Sequence, residues 1–258
     1  MTFTVMIPAR LGSSRLPGKP LVDILGEPMI RHVHDRARES GAGEIYVVTD
    51  SDEVKEAVAA FGGSCIMTST SCQSGTERLA EAVKKLDMAP EQIVVNLQGD
   101  EPMMSPRCIQ QVAQGLRQHP DCSIATLCET ISDMAEMRDP NIVKVIRDAR
   151  YCALYFSRAP IPWDRTHFGR HESEDSVSGR GSRLGWRHIG LYAYRAGYIL
   201  DYVDRGPCFL EETESLEQLR ALYHGDRILV LEANDDTGWG VDTPDDLERI
   251  RSRMRKDG

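Results

Sequence analysis

Ile93-Val94-Val95-Asn96-Leu97-Gln98-Gly99-Asp100-Glu101-Pro102 is the stretch on which the fold turns. Its first five residues are apolar apart from one amide, so both faces read as buried, as a strand inside a parallel sheet requires. A Gly-Asp-Glu-Pro turn ends the run, and a helical pattern follows from about Pro106 to Gln118. The same order recurs upstream. Thr4-Val5-Met6-Ile7 stops at Pro8 and a loop reaching Pro20, after which Ile30, Val33 and Ala37 recur at helical spacing before Gly41. Ile45 to Val48 reads as a strand, and Asp50 or Ser51 can cap a helix carrying Val54, Val58 and Ala59. Cys65 to Met67 and Ser74 to Leu86 repeat the pair. This alternation predicts an α/β fold: a mostly parallel sheet with helices on both faces. Ligands in such folds sit beyond the carboxyl ends of the strands, which singles out loops 8–20, 50–52, 68–76 and 98–105.

The second half reads differently. Ile142 to Ile146 and Ala153 to Phe156 predict paired strands with a turn near Asp148-Ala149, an antiparallel addition to the sheet. Trp186 to Tyr194 predicts a strand, Thr213 to Leu222 a helix, and Ile228 to Leu231 a last strand. Pro244 opens a charged C-terminal helix capped by Thr243. The polar stretch from about Asp164 to Leu184 reads as a mobile loop or lid. There is no internal repeat and no linker, so one domain over 1–258 is expected.

Composition narrows the function. The chain has 258 residues, 41% hydrophobic and 28% charged, the make-up of an ordinary globular protein. A net charge of -9 argues against a nucleic-acid partner held by broad basic surface. No run approaches the ~20 apolar residues of a spanning helix, and the N-terminus lacks the basic start of a signal peptide. Seven scattered cysteines, never spaced C-x-x-C, fit reduced thiols in the cytoplasm better than a disulfide framework or a zinc site.

Against that acidic background the loop Pro8-Ala9-Arg10-Leu11-Gly12-Ser13-Ser14-Arg15-Leu16-Pro17-Gly18-Lys19-Pro20 holds three cations and no carboxylate. Glycine and serine between Arg10, Arg15 and Lys19 let backbone N–H groups approach an anion, a combination suited to a triphosphate. It is not a P-loop: five residues separate Gly12 from Gly18, and Pro20 follows Lys19 where Ser or Thr is needed. Asp100 lies across the same sheet edge, placed to hold Mg²⁺ against phosphates, although an acid at a strand end can also be a turn former or cap. Asp242, in Gly240-Val241-Asp242-Thr243-Pro244, is the second carboxylate, with helix capping as its structural alternative. Ser74 and Arg78 open a helix whose free N–H groups could meet a base or sugar; Ser74 could equally be only a cap. His167 and His171 flank Gly169 in polar sequence and do not read as a metal pair. Tyr151, Tyr155, Tyr192 and Tyr194 read as packing.

Taken together, Pro8-Ala9-Arg10, Arg15 to Pro20 and Gln98 to Pro102 resemble the sugar nucleotidyltransferases that activate acidic sugars as CMP derivatives. Tyr155-Phe156-Ser157-Arg158, Ile161-Pro162-Trp163, Arg187-His188-Ile189-Gly190, Leu216 to Arg220 and Gly240 to Pro244 narrow the resemblance to the 3-deoxy-manno-octulosonate cytidylyltransferase (CMP-KDO synthetase) family, over nearly the whole chain. Two departures stand out: Leu11 replaces a common tyrosine, and the loop from about 166 to 182 is longer and more charged. The resemblance implies a three-layer α/β/α fold of the nucleotide-diphospho-sugar transferase type, a homodimer, and Mg²⁺-dependent transfer of CMP from CTP to an acidic eight-carbon sugar for lipopolysaccharide synthesis. It implies that Pro8, Ala9, Arg10, Arg15 and Lys19 line or hold the nucleotide phosphates. Ser74, Arg78 and Gln98 would recognise cytidine, and Asp100 and Asp242 would be metal ligands. Arg158, His188, Tyr192, Glu217 and Gln218 would line the sugar site within about 142–222, which would also carry the dimer contact. The sugar's carboxylate calls for a cation outside the phosphate loop, for which Arg158 is the candidate; His188 could instead be a core residue. Two rivals remain at this point: a cytidylyltransferase for another acid sugar, such as a nine-carbon or amino-substituted one, and a nucleotide-binding regulator without catalysis.

Overall fold

The apolar runs quoted above form strands, and helices follow them in the expected order. In chain order the elements are β1 (Thr4–Pro8), β2 (Asp23–Ile24), β3 (Glu27–Pro28), α1 (Met29–Glu39), β4 (Glu44–Thr49), α2 (Asp52–Ala60), β5 (Ser64–Met67), α3 (Gly75–Lys85), β6 (Ile93–Asn96) and α4 (Pro106–Gln118). They continue as β7 (Ile124–Ile131), α5 (Met134–Arg138), β8 (Lys144–Arg147), β9 (Ala153–Ser157), β10 (Gly185–Arg195), α6 (Ala196–Val203), α7 (Phe209–Glu214), α8 (Gln218–Tyr223), β11 (Ile228–Glu232) and α9 (Pro244–Asp257). The computed structural model describes residues 2–12, 16–165 and 184–257. Arg15, His167, His171 and nearly all of the expected lid lie outside the described residues.

The main sheet has the order β11-β7-β10-β6-β1-β4-β5. β1 pairs in parallel with β4 and β6, β4 with β5, and β7 with β11. β10 alone runs against its neighbours β6 and β7. β8 and β9 form the antiparallel addition, attached through β8 to β10. Side chains alternate across this sheet and build two cores. Val5, Ile7, Val47 and Val95 pack under α1, α2 and α4. Met6, Val48, Val94 and Tyr194 pack under α3, α6 and α8 on the other face. The result is the three-layer α/β/α arrangement.

β1 is the hinge of the topology. The chain moves outward from it to β4 and β5, then returns to its other side as β6. A crevice opens at such a switch point, beyond the carboxyl ends of the strands.

The reading of the sequence did not mark β2, β3, α5 or α6, and two further features depart from it. The helix expected over Thr213–Leu222 is two short helices, α7 and α8, broken where Ser215 takes a left-handed backbone at φ 52°. The guanidinium of Arg158 holds the break, accepting nothing and donating to the carbonyls of Glu214 at 2.7 Å and Ser215 at 3.4 Å. β7 is a further strand that periodicity did not mark, because Thr126, Glu129 and Thr130 interrupt its apolar run. None of the seven cysteines forms a disulfide. No helix among the described residues is long and apolar enough to cross a membrane.

Candidate active site

The basic loop and the acidic turn are forced together by backbone packing. A Cβ at position 99 would lie 2.8 Å from the Pro8 carbonyl oxygen, so only glycine lets the Gln98–Asp100 turn settle against the end of β1. A cavity of about 540 Å³ opens there, lined by Pro8, Ala9, Arg10 and Lys19 on one side and Gln98, Gly99 and Asp100 on the other. Ser74, Arg78, Glu217 and Asp242 complete its wall. Ten of the expected site residues therefore share one cavity.

Lys19 is the centre of its charge. Its Nζ lies 2.5 Å from Asp100 Oδ2 and 2.9 Å from Asp242 Oδ1. Burial works against the ammonium, but the two carboxylates outweigh it and raise its pKa above the usual lysine value. Acids 142 residues apart in sequence thus aim oxygens at one cationic point (Asp100 and Asp242). Two carboxylates of this kind, completed by phosphate oxygens of a ligand, suit magnesium, which keeps few protein ligands. No group of three or more His, Cys, Asp or Glu side chains forms a metal cage among the described residues.

Several contacts hold Asp242 there. Its neighbour Val241 donates its N–H to the Asp100 carbonyl at 2.9 Å. Gly238, at φ 71°, packs so closely that a Cβ would meet the Met103 carbonyl oxygen at 2.5 Å. The Thr237 hydroxyl donates to Glu129 Oε1 at 2.7 Å, and Arg187 Nε donates to the other oxygen of that carboxylate at 2.8 Å. Capping of α9 falls to Thr243 and Asp246, which exchange hydrogen bonds at 3.0 and 3.2 Å. Asp242 is not needed as a cap.

At the start of α3, Ser74 Oγ accepts from the N–H of Glu77 at 3.2 Å, so it caps the helix while also facing the cavity. Arg78 is tied inward: its guanidinium donates to Asp50 Oδ2 at 2.9 Å and to the Thr68 hydroxyl. Arg78 therefore shapes the wall as well as lining it.

A second cavity, about 220 Å³, meets the first at Gly75, Gln98 and Glu217. Tyr192, Tyr194 and Tyr202 line it with Gln218 and Asn96. Tyr194, read as packing alone, thus has one side on a cavity. Burial pushes the Glu217 carboxyl above the usual range, opposed by the hydrogen bond from Thr76 Oγ1 at 2.9 Å.

Two expected sugar residues, Arg158 and His188, line neither cavity. The Arg158 guanidinium is engaged with the carbonyls of Pro140, Glu214 and Ser215. His188 lies behind Tyr192, with ring centroids 5.3 Å apart, edge-on to Phe156 and 3.0 Å from the Thr126 hydroxyl. Burial pushes its pKa down to about 3, so the ring is neutral. Half-buried, it backs the tyrosine wall instead of facing either cavity.

Some site residues escaped the reading of the sequence. Ser215 carries no motif signal, since its place comes from the break between α7 and α8, and Thr76 sits in the first turn of α3 behind the Ser74 cap. Glu101 sits next to Asp100, and burial, then the Asp100 charge, pushes its carboxyl up to about 8. Asn96 did leave a signal: it is the one amide in an otherwise apolar strand, and its Oδ1 is buried without a hydrogen-bond partner.

Comparison with known proteins adds the lineage. Residues 4–228 match the family model described as cytidylyltransferase. A 3-deoxy-manno-octulosonate cytidylyltransferase of Idiomarina loihiensis is 52% identical over 258 residues, covering 100% of both chains. One from Hahella chejuensis is 53% identical over 255 residues, 98% of each. Among solved structures, a CMP:2-keto-3-deoxy-manno-octonic acid synthetase complexed with CTP superposes with a TM-score of 0.89 at 44% identity, covering 100% of both chains. A nucleotidyl transferase from Methanothermobacter thermautotroptrophicus shares the fold, with a TM-score of 0.62 at 16% identity, covering 100% of this chain and 99% of its own. By sequence over its full length and by fold, the chain belongs to the cytidylyltransferase family, among its 3-deoxy-manno-octulosonate cytidylyltransferases.

Proposed function

We propose that this chain transfers the CMP group of CTP to the anomeric 2-hydroxyl of 3-deoxy-D-manno-octulosonate (KDO), giving CMP-KDO and pyrophosphate for lipopolysaccharide synthesis. The observation that carries the reading is the convergence of Asp100 and Asp242 on Lys19 at the wall of the 540 Å³ cavity. Full-length similarity to enzymes of that name supports it.

In the reaction the 2-hydroxyl oxygen bonds to the α-phosphorus, the bond from that phosphorus to pyrophosphate breaks, and the hydroxyl proton passes to solvent. Among the described residues no histidine lines either cavity. Asp100 and Asp242 would hold a magnesium ion against the phosphates, which supplies Lewis acidity at the phosphate oxygens and the attacking hydroxyl. Arg10, Arg15 and Lys19 neutralise the charge that gathers on the departing pyrophosphate. One such cation ~4 Å from a phosphate oxygen contributes up to ~4 kcal/mol at an effective dielectric of ~20, roughly a thousandfold in rate if gained only in the transition state. Ser74, Arg78 and Gln98 bound the end of the cavity proposed for cytidine. Tyr192, Glu217 and Gln218 bound the space proposed for the sugar. Arg158 and His188 act on that space from behind, by fixing the turn at Ser215 and the face of Tyr192.

The proposal extends to a cytoplasmic homodimer. Cysteines without disulfides suit a reducing compartment, and Leu154, Trp163 and Phe209 leave apolar surface exposed on the 142–222 part. Mixing the protein with CTP, Mg²⁺ and KDO should release pyrophosphate; tight CTP binding without release would overturn the catalytic reading. A panel of acid sugars in the same assay separates KDO from nine-carbon and amino-substituted acids.

A further inference from the structure

The smaller cavity holds hydrogen-bonding groups that the protein itself leaves unused. Asn96 ends β6 on the sheet face that packs under α3, α6 and α8, in line with Val94. It is 3% exposed, and its Oδ1 has no hydrogen-bond partner. Among the described residues nothing bonds the other end of its carboxamide. Tyr192 is its cross-strand partner across the β6–β10 ladder, and Tyr194 stacks on Tyr192 at 5.8 Å and 25°. Both phenols line the same cavity near Glu217, and neither hydroxyl makes a hydrogen bond among the described residues. Burial holds both far above the usual tyrosine pKa, so they stay protonated and neutral.

An amide buried without a partner is costly and rare in folded proteins, and a site for it to act on is one reason to keep it. Among the described residues Glu217 is the sole charged side chain on this wall, and it already accepts from Thr76. The complement of such a wall is a neutral chain bearing hydroxyls. A hydroxyl both donates and accepts, so it satisfies either end of a carboxamide.

We propose that Asn96 determines acceptor specificity: its carboxamide binds a hydroxyl on the tail of the sugar, the end remote from the anomeric carbon. This rests on the acceptor reading made above. The anomeric hydroxyl must reach the α-phosphorus beside Lys19 and Asp100 in the larger cavity. The rest of the sugar then extends past Gln98 and Glu217 into the 220 Å³ space where Asn96 lies.

The test is a cycle between Asn96 and the substrate's own hydroxyls. Asn96→Ala, with Asn96→Ser as a second variant, is assayed by pyrophosphate release with KDO and with its 7-deoxy and 8-deoxy analogues; CTP affinity is measured by calorimetry. For Asn96→Ala we expect KM for KDO to rise at least about tenfold, CTP affinity to hold within about twofold, and Tm to stay level or rise. In the unmodified protein at least one deoxy analogue should be about tenfold or more worse than KDO in kcat/KM, and in the variant that ratio should collapse towards one. The same ratio in both proteins, an unchanged KM, equal loss of CTP and sugar, or failure of both variants to fold would each overturn the role of Asn96. If the unmodified protein turns over another acid sugar but not KDO, the proposed substrate fails, and the same ratio measured on that sugar decides the case for Asn96.

Discussion

The hydroxyl of Thr237 donates to the carboxylate of Glu129 at 2.7 Å, fastening the loop that leads to Asp242 onto the sheet. Thr237 is buried, and Arg187 steadies the same carboxylate. Thr237→Val keeps the shape and deletes the bond, at a cost of about 2 kcal/mol for a hydrogen bond to a charged group. With Asp242 less firmly placed, the Mg²⁺ concentration for half-maximal turnover should rise several-fold, while CTP affinity measured without metal stays level. Urea unfolding and a magnesium titration check the two parts separately.

Asp100→Asn and Asp242→Asn should each abolish turnover and leave far-UV circular dichroism unchanged, because both carboxylates are partly exposed and neither caps a helix. Near-normal activity at moderate Mg²⁺ would remove that residue from the proposed metal site. Lys19→Ala should lower kcat/KM at least about a hundredfold on the charge argument given above. A change under about fivefold would exclude Lys19 from the mechanism.

His188 gives a pH-dependent stability with a definite sign. Its folded pKa of about 3 lies below the ordinary 6.5 of the side chain, so between those values the unfolded chain holds the extra proton. The stability gained by keeping the ring neutral is complete above about pH 6.5 and is lost as the pH falls towards 3, by at most about 1.4 kcal/mol per pH unit. Urea midpoints measured between pH 7 and 4 should fall less steeply in His188→Gln than in the parent (a window set by those two pKa values). Equal slopes would mean that the ring is solvated.

Arg78 should matter to folding as well as to the nucleotide. Its side chain is 4% exposed and pairs with Asp50, which is 20% exposed. Arg78→Met leaves that acid unpartnered by Arg78 and should cost about 3 kcal/mol, the low end for breaking a buried pair, since Asp50 keeps some water. Activity lost in this variant is to be compared at a temperature where both proteins are folded.

The parallel half of the fold was legible because its strands are short apolar runs, ended by Pro8 at β1, Asp50 after β4, Gly99 after β6 and the polar run from Thr68 after β5. β7 escaped because Thr126 serves the irregularity in β10, donating towards the carbonyls of Ile189 and Leu191, and Glu129 serves Arg187. Both polar residues answer to strands far away in sequence. The split between α7 and α8 was hidden for the same reason: what holds Ser215 in its left-handed turn is a guanidinium 57 residues upstream. The charged end of the site showed itself through contrast, three cations in an acidic chain. The neutral end did not, because tyrosines at strand spacing look alike whether they face a core or a cavity.

One consequence follows from the reversed strand β10. Tyr192 hangs on it, whereas Pro8 ends β1 and Gln98 follows β6, so in the proposed assignment most of the acceptor wall lies on β10 and the turn at 215–218 and meets the nucleotide end only at β6 and Glu217. On that assignment drift in β10 would retune which acid is accepted while β1 and the basic loop after it stay as they are. Such a division lets a lineage explore new sugars while its chemistry stays the same.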